Sequence, residues 1–167
     1  MDGDTLMSIL KIEYRTPRSL YSMIDYLKDS EKTSPEGLFA IGCNPLKAEQ
    51  EMQFVQDIYF RDNITHQYVQ VIFAFDIDIN LPLTFIREVC FQIGQILILD
   101  KRQLFGAIHY LVKDAKKVHC HYLINYVGID GSLYKQHYSL HYYKNKVNEI
   151  LFLYGLNPIK MYAPDDF

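Results

Sequence analysis

Two apolar runs rich in β-branched and aromatic residues, Phe105 to Val112 and Val118 to Val127, are separated only by Lys113-Asp114-Ala115-Lys116-Lys117. A connection this short joins antiparallel neighbours, because parallel strands need a crossover of a dozen residues or more. The hairpin makes an antiparallel sheet the frame of the fold. Its second strand reads Val118-His119-Cys120-His121-Tyr122-Leu123-Ile124-Asn125-Tyr126-Val127. Side chains alternate along a strand, so His119 and His121 share a face, roughly 7 Å apart. Two imidazoles so placed are half of a metal site, or else the polar side of a half-exposed strand.

The rest of the chain supplies elements to surround that hairpin. Met7 to Tyr14 alternates apolar and polar residues as a half-buried strand does. Thr16-Pro17 reads as an N-cap followed by proline at the first helical position, and Leu20, Met23, Ile24 and Leu27 recur at helical spacing, with Tyr26 near the end. Gly37 to Ile41 is a short strand or a buried loop. Pro45 to Tyr59 predicts a helix burying Leu46, Met52, Val55 and Tyr59, broken at Arg61-Asp62-Asn63. Gln67 to Phe75 carries the strongest strand signal and belongs inside the sheet. After a loop over Asp76 to Asn80, Pro82 to Leu99 predicts a helix with Phe85, Val89, Ile93 and Ile96 on one face. Ile129 to Ser132 is a turn, and Ser139 to Tyr154 a last helix with Tyr143, Val147, Ile150 and Tyr154 along one side and Gly155 as its C-terminal cap. The order β-α-β-α-β-α-β-β-α predicts an α+β fold: a mostly antiparallel central sheet with helices packed on it, in a single domain over residues 1–167.

Bulk properties narrow the function classes. A formal charge of -3 excludes a chain that binds nucleic acid through overall basicity, so any such contact must be local. Cys43, Cys90 and Cys120 are scattered without a CxxC pair, which argues against a disulfide framework or a thiolate zinc site and for a reducing, cytoplasmic setting. The most apolar stretch, Leu81 to Leu99, holds Arg87, Glu88, Gln92 and Gln95, so no membrane span is expected.

Several segments, in order, resemble one family. His119-Cys120-His121 followed by Tyr122-Leu123-Ile124-Asn125 is similar to the paired-histidine motif of HUH endonucleases, in particular the mobilisation relaxases of plasmids and integrative transposons. Leu20 to Thr33, with its trailing Glu31-Lys32-Thr33, resembles the segment that carries the nucleophilic tyrosine in those relaxases, which falls on Tyr26. Gly42-Cys43-Asn44 with Glu51-Met52, the strand Gln67 to Phe75 with the helix after it, and Tyr143 to Leu156 ending in Tyr-Gly-Leu resemble further parts in the family's order. The resemblance implies a nuclease domain for conjugative mobilisation, which nicks and rejoins single-stranded DNA at a transfer origin, alone or with accessory relaxosome proteins. Tyr26 would attack a phosphodiester to leave a 3′-hydroxyl and a 5′-phosphotyrosyl link, with a divalent metal such as Mn or Mg, held by histidines, polarising the phosphate.

The sequence departs from the family at the third metal ligand. Counting back from His119, the family's usual positions fall on Val112 and Ala115, which cannot bind metal, and Gln70 stands where another histidine is expected. His109 and Asp114 are the nearby replacements, and strand register chooses between them. If residue 111 pairs with 119, His109 lies across from His121 on the same face; if 112 pairs with 119, His109 points away and Asp114 remains. A degenerate module that binds DNA or a partner without cleaving it, and a phosphodiesterase using activated water, are the rival readings. Arg15 and Arg18 before the first helix, Lys28 and Lys32 around Tyr26, and Lys113, Lys116 and Lys117 in the hairpin loop form the expected DNA-facing rim.

Overall fold

The computed structural model describes residues 8–14, 16–59, 64–75, 80–98, 101–111, 118–159 and 161. In chain order the elements are β1 (Ile9–Glu13), α1 (Leu20–Leu27), β2 (Leu38–Ile41), α2 (Ala48–Ile58), β3 (Tyr68–Ala74), α3 (Leu83–Ile98), β4 (Leu104–His109), β5 (His119–Asn125) and α4 (Leu140–Leu153). The five strands form one sheet in the order β1-β3-β5-β4-β2, and every pairing is antiparallel. The histidine strand β5 is the middle strand.

Alternation along the strands splits the sheet into two faces, each covered by a pair of helices. On one face Val69, Val71, Phe73, Leu104, Ile108, Cys120, Tyr122 and Ile124 pack with α3 and α4. On the other, Tyr68, Phe105, Ala107 and Leu123 pack under Leu20, Met23, Ile24 and Leu27 of α1 and Ala48 and Met52 of α2. Strands covered on both sides read as near-continuous apolar runs, which is why the segments from Gln67 and Phe105 stand out in the sequence.

The local details correct the sequence reading in several places. Helix α1 begins three residues later than Thr16-Pro17 implies: Ser19 is its N-cap, and its hydroxyl accepts a hydrogen bond from the Ser22 N–H at 3.2 Å. In α2 the buried residues are Ala48, Met52 and Gln56, whereas Leu46 and Tyr59 are exposed. Gln56 is drawn inward because its side-chain amide donates to the Gln67 carbonyl and to Asn125 Oδ1. In α3 the buried stripe runs through Ile86, Val89, Cys90, Ile93, Gly94, Leu97 and Ile98, and Phe85 and Ile96 only flank it. Similarly α4 buries Tyr143, Lys144, Val147 and Leu151. Its predicted caps are both present: the Ser139 hydroxyl accepts from the Tyr142 N–H, and Gly155 takes the left-handed conformation at φ +70°. The loop Asp76 to Asn80, except Asn80, and the hairpin connection at 112–117 lie outside the described residues.

Candidate metal centre and nucleophile

Strand register assembles three imidazoles. His109 is paired with His119 and Ala107 with His121, so residues 107, 109, 119 and 121 share the face covered by α1. The pairing lies two residues from the first register considered above; parity is kept, but His109 faces His119 directly rather than His121. The ring centroids are 5.1 Å apart for His109 and His119, 4.5 Å for His109 and His121, and 5.0 Å for His119 and His121. One nitrogen from each ring lies within 4.8 Å of the others.

Hydrogen bonds orient two of the rings. His109 is buried, and its Nε2 lies 2.9 Å from the Leu27 carbonyl oxygen, which can only accept, so Nε2 carries the proton and the Nδ1 lone pair is left over. His121 Nδ1 is 3.1 Å from Gln70 Oε1, while Gln70 Nε2 donates to Glu13 Oε2 at 3.1 Å. Glu13 is directly across from Gln70 on β1, and Gln70 lies diagonally across β3 from His121. This chain sets the Gln70 amide so that its oxygen receives the His121 Nδ1 proton, leaving Nε2 as a ligand.

Electrostatics keep those rings neutral. Burial pushes the His121 imidazole down to about 2, assisted by His109, His119 and Lys32. Burial also takes His109 down to about 4; its bond to Leu27 opposes the shift, and His119 and Lys32 add to it. Neutral imidazole is the metal-binding form, so a cluster that resists protonation retains its lone pairs. Three nitrogens from two adjacent strands, two of them oriented by neighbouring hydrogen bonds, fit a divalent first-row metal and leave positions for phosphate oxygens and water.

The tyrosine and its cations gather beside this cluster. Tyr26 is 41% exposed, near the end of α1. The Arg18 guanidinium lies 4.5 Å and the Lys32 ammonium 4.0 Å from its ring centroid. Lys32 also lowers the basicity of both His109 and His121, so the same ammonium serves the tyrosine and the histidines. The residue after Tyr26 is Leu27, whose carbonyl His109 holds, which ties the end of α1 to the histidine strands. The alternative Tyr21 is equally exposed on α1. Lys28 turns toward α2, where its ammonium meets Glu49 at 3.5 Å and stands over the Phe105 ring. Arg15, Val112, Lys113, Asp114, Ala115, Lys116 and Lys117 lie outside the described residues.

Residues 26–156 match the model of the MobA/VirD2-like relaxase family, nuclease domain. The chain belongs to that family. Its relaxase role and α+β fold follow from the membership, and the match begins at Tyr26 and takes in His109, His119 and His121. No curated protein matches the chain. Two parts of the relaxase site escape a reading of the sequence. Gln70, which stands where a further histidine is expected, orients His121, and Glu13 in turn orients Gln70. A polar pair at matching positions of neighbouring strands is the available signal, but it becomes visible only once β1 is known to lie beside β3. No helix among the described residues is long and apolar enough to cross a membrane.

Proposed function

We propose that this relaxase domain nicks and rejoins single-stranded DNA at a transfer origin, with Tyr26 as the nucleophile and a divalent metal held by His109, His119 and His121. The observation that carries the reading is the His109 bond to Leu27, which joins the third imidazole to the backbone next to Tyr26. In the reaction the Tyr26 oxygen forms a bond to the scissile phosphorus and loses its proton to solvent. The bond from phosphorus to the 3′-oxygen breaks, and that oxygen takes up a proton to become a 3′-hydroxyl. The 5′-phosphate stays on Tyr26, so the reverse attack by a 3′-hydroxyl reseals the strand without an external energy source. When bound, the metal would polarise the phosphate and offset charge that develops on its oxygens. Arg18 and Lys32 supply fixed positive charge at the tyrosine and attract the DNA backbone. Manganese suits a mixed shell of imidazole and oxygen, and magnesium serves where phosphate oxygens complete it. Accessory proteins would present the origin in a cytoplasmic setting on a plasmid or transposon.

The reading of a binding module without cleavage draws on Val112, Ala115 and Gln70 as missing ligands; the hydrogen bond from His121 to Gln70 gives that glutamine a part in the site, while Val112 and Ala115 lie outside the described residues. Incubation with labelled single-stranded origin DNA and Mn tests the proposal. The expected result is a covalent adduct in denaturing gels that Tyr26→Phe lacks. Cleavage without an adduct would assign the chemistry to activated water, and binding without cleavage would return the chain to a binding module.

A further inference from the structure

A cavity of about 340 Å³ is lined by the end of α3, Lys101 and Arg102 ahead of β4, residues of the 130–137 segment and Tyr143 of α4. Arg102 lies just before β4, and Tyr134 is bonded through its backbone to Tyr126, the residue after β5, whereas His109 and His119 stand at the opposite ends of those strands. A seven-residue strand spans about 20 Å, so this cavity is separate from the metal centre.

Its lining combines charge and aromatic surface. Lys101, Lys135 and His137 are exposed at the wall, and Tyr134 is half-buried there. The Arg102 guanidinium is engaged by the frame: it donates to the carbonyls of Tyr126, Ser132 and Leu133 and to the Ser132 hydroxyl, with its carbon 5.6 Å from the Tyr134 ring centroid. Asp130 is the one carboxylate among the described lining residues, and its Oδ1 is occupied by the Ser132 N–H and hydroxyl at 3.1 and 2.6 Å. The wall is fixed before any ligand arrives. The Tyr134 N–H donates to the Tyr126 carbonyl at 2.7 Å, and the Tyr14 hydroxyl bonds the Gln136 side chain.

We infer that this cavity is a second DNA-binding site, which takes one nucleotide of a single strand with its base against Tyr134 and its phosphate toward Lys101 and Lys135. The volume lies at the small end of ligand pockets, about 300 to 1,000 Å³, which suits one nucleotide rather than several. Two exposed ammonium groups provide for a phosphate, and the Tyr134 phenol ring, backed by Tyr126, Tyr14 and Arg102, provides aromatic surface at the wall against which any base can lie. The inference rests on the single-strand reading above, yet it concerns binding remote from the nick and needs neither metal nor cleavage.

The test uses the Tyr26→Phe chain in EDTA, so that cleavage cannot intervene, and a fluorescein-labelled thymidine oligonucleotide titrated across a range of salt. Replacing both Lys101 and Lys135 by Ala is expected to weaken binding at least tenfold. It should also reduce the slope of log affinity against log salt by about 0.7, the contribution of the one phosphate of a single strand that is no longer neutralised. Tyr134→Leu, which keeps apolar bulk and removes the stacking face, is expected to weaken the oligonucleotide about tenfold while inorganic polyphosphate, a polyanion without bases, binds as before. Thermal melting of each variant confirms that it is folded. Unchanged affinity and slope in the lysine variant, or equal weakening of oligonucleotide and polyphosphate in Tyr134→Leu, would overturn the inference. A missing adduct in the nicking assay with these binding effects intact would instead overturn the proposed reaction alone.

Discussion

At the residue scale the site depends on groups that touch neither metal nor DNA. Gln70 holds the Nδ1 side of His121 and is itself held by Glu13. Gln70→Leu should keep the fold and weaken Mn binding about 10- to 100-fold, the usual cost of losing an outer-shell partner; isothermal titration would measure it, and wild-type affinity would show that His121 needs no orienting. The depressed basicity of the histidines predicts a direction for acid stability. Well above their ordinary value of 6.5, His109 and His121 are neutral in folded and unfolded chains alike. Below it the unfolded chain takes up protons that the folded sites refuse, until pH falls through about 4 for His109 and about 2 for His121. The stability these two imidazoles contribute to the metal-free protein is thus fully present above 6.5 and is progressively lost as pH falls, to about 4 for His109 and about 2 for His121. Urea midpoints over that window should fall more steeply for wild type than for His109→Gln; parallel curves would mean that this imidazole titrates freely when folded.

At the element scale the end of β5 is tied to its neighbours by one asparagine. Asn125 is fully buried, donates to the Met52 carbonyl and Gln103 Oε1, and accepts from Gln56 Nε2 and the Val127 N–H. Asn125→Leu strands those partners in the interior and is expected to cost about 3 kcal/mol or more, seen as a lower denaturant midpoint. The sequence shows this asparagine as part of a resemblance, without a reason for it. More generally, the order of all nine elements was legible because it depends on local periodicity, caps and turn residues. Helix faces were less so. Polar Gln56 is buried by long-range hydrogen bonds, and Gly94 belongs to the buried stripe of α3 because a Cβ there would stand 3.3 Å from the Tyr122 ring. Neither a polar nor a vanishingly small residue registers in an apolar stripe. Register was not legible: alternation left two parities open for His109, and the choice between them, like the choice of His119 as its opposite number, depends on where the hairpin turns.

At the scale of the whole molecule, two apolar layers on either side of the sheet make up the core, so the fold is expected to stand without a metal at the three histidines. Chelation should therefore stop nicking and leave the chain folded. Mn at about 100 times its dissociation constant is expected to add about 2.7 kcal/mol, which for a chain of this size raises the melting temperature by about 5–10 °C. His121→Ala should abolish that rise in a thermal scan; an equal rise would place the metal elsewhere. The position of β5 as the middle strand has a further consequence in time rather than in space. Its amides are bonded on both edges, so deuterium should enter at Cys120 and Tyr122 only when the entire molecule opens. Tyr26 stands instead on the exposed side of α1, an eight-residue helix whose amides are expected to exchange sooner than those of β5. The proposed metal ligands would thus be the stationary anvil of this relaxase, and the proposed nucleophile would sit on the element expected to yield first.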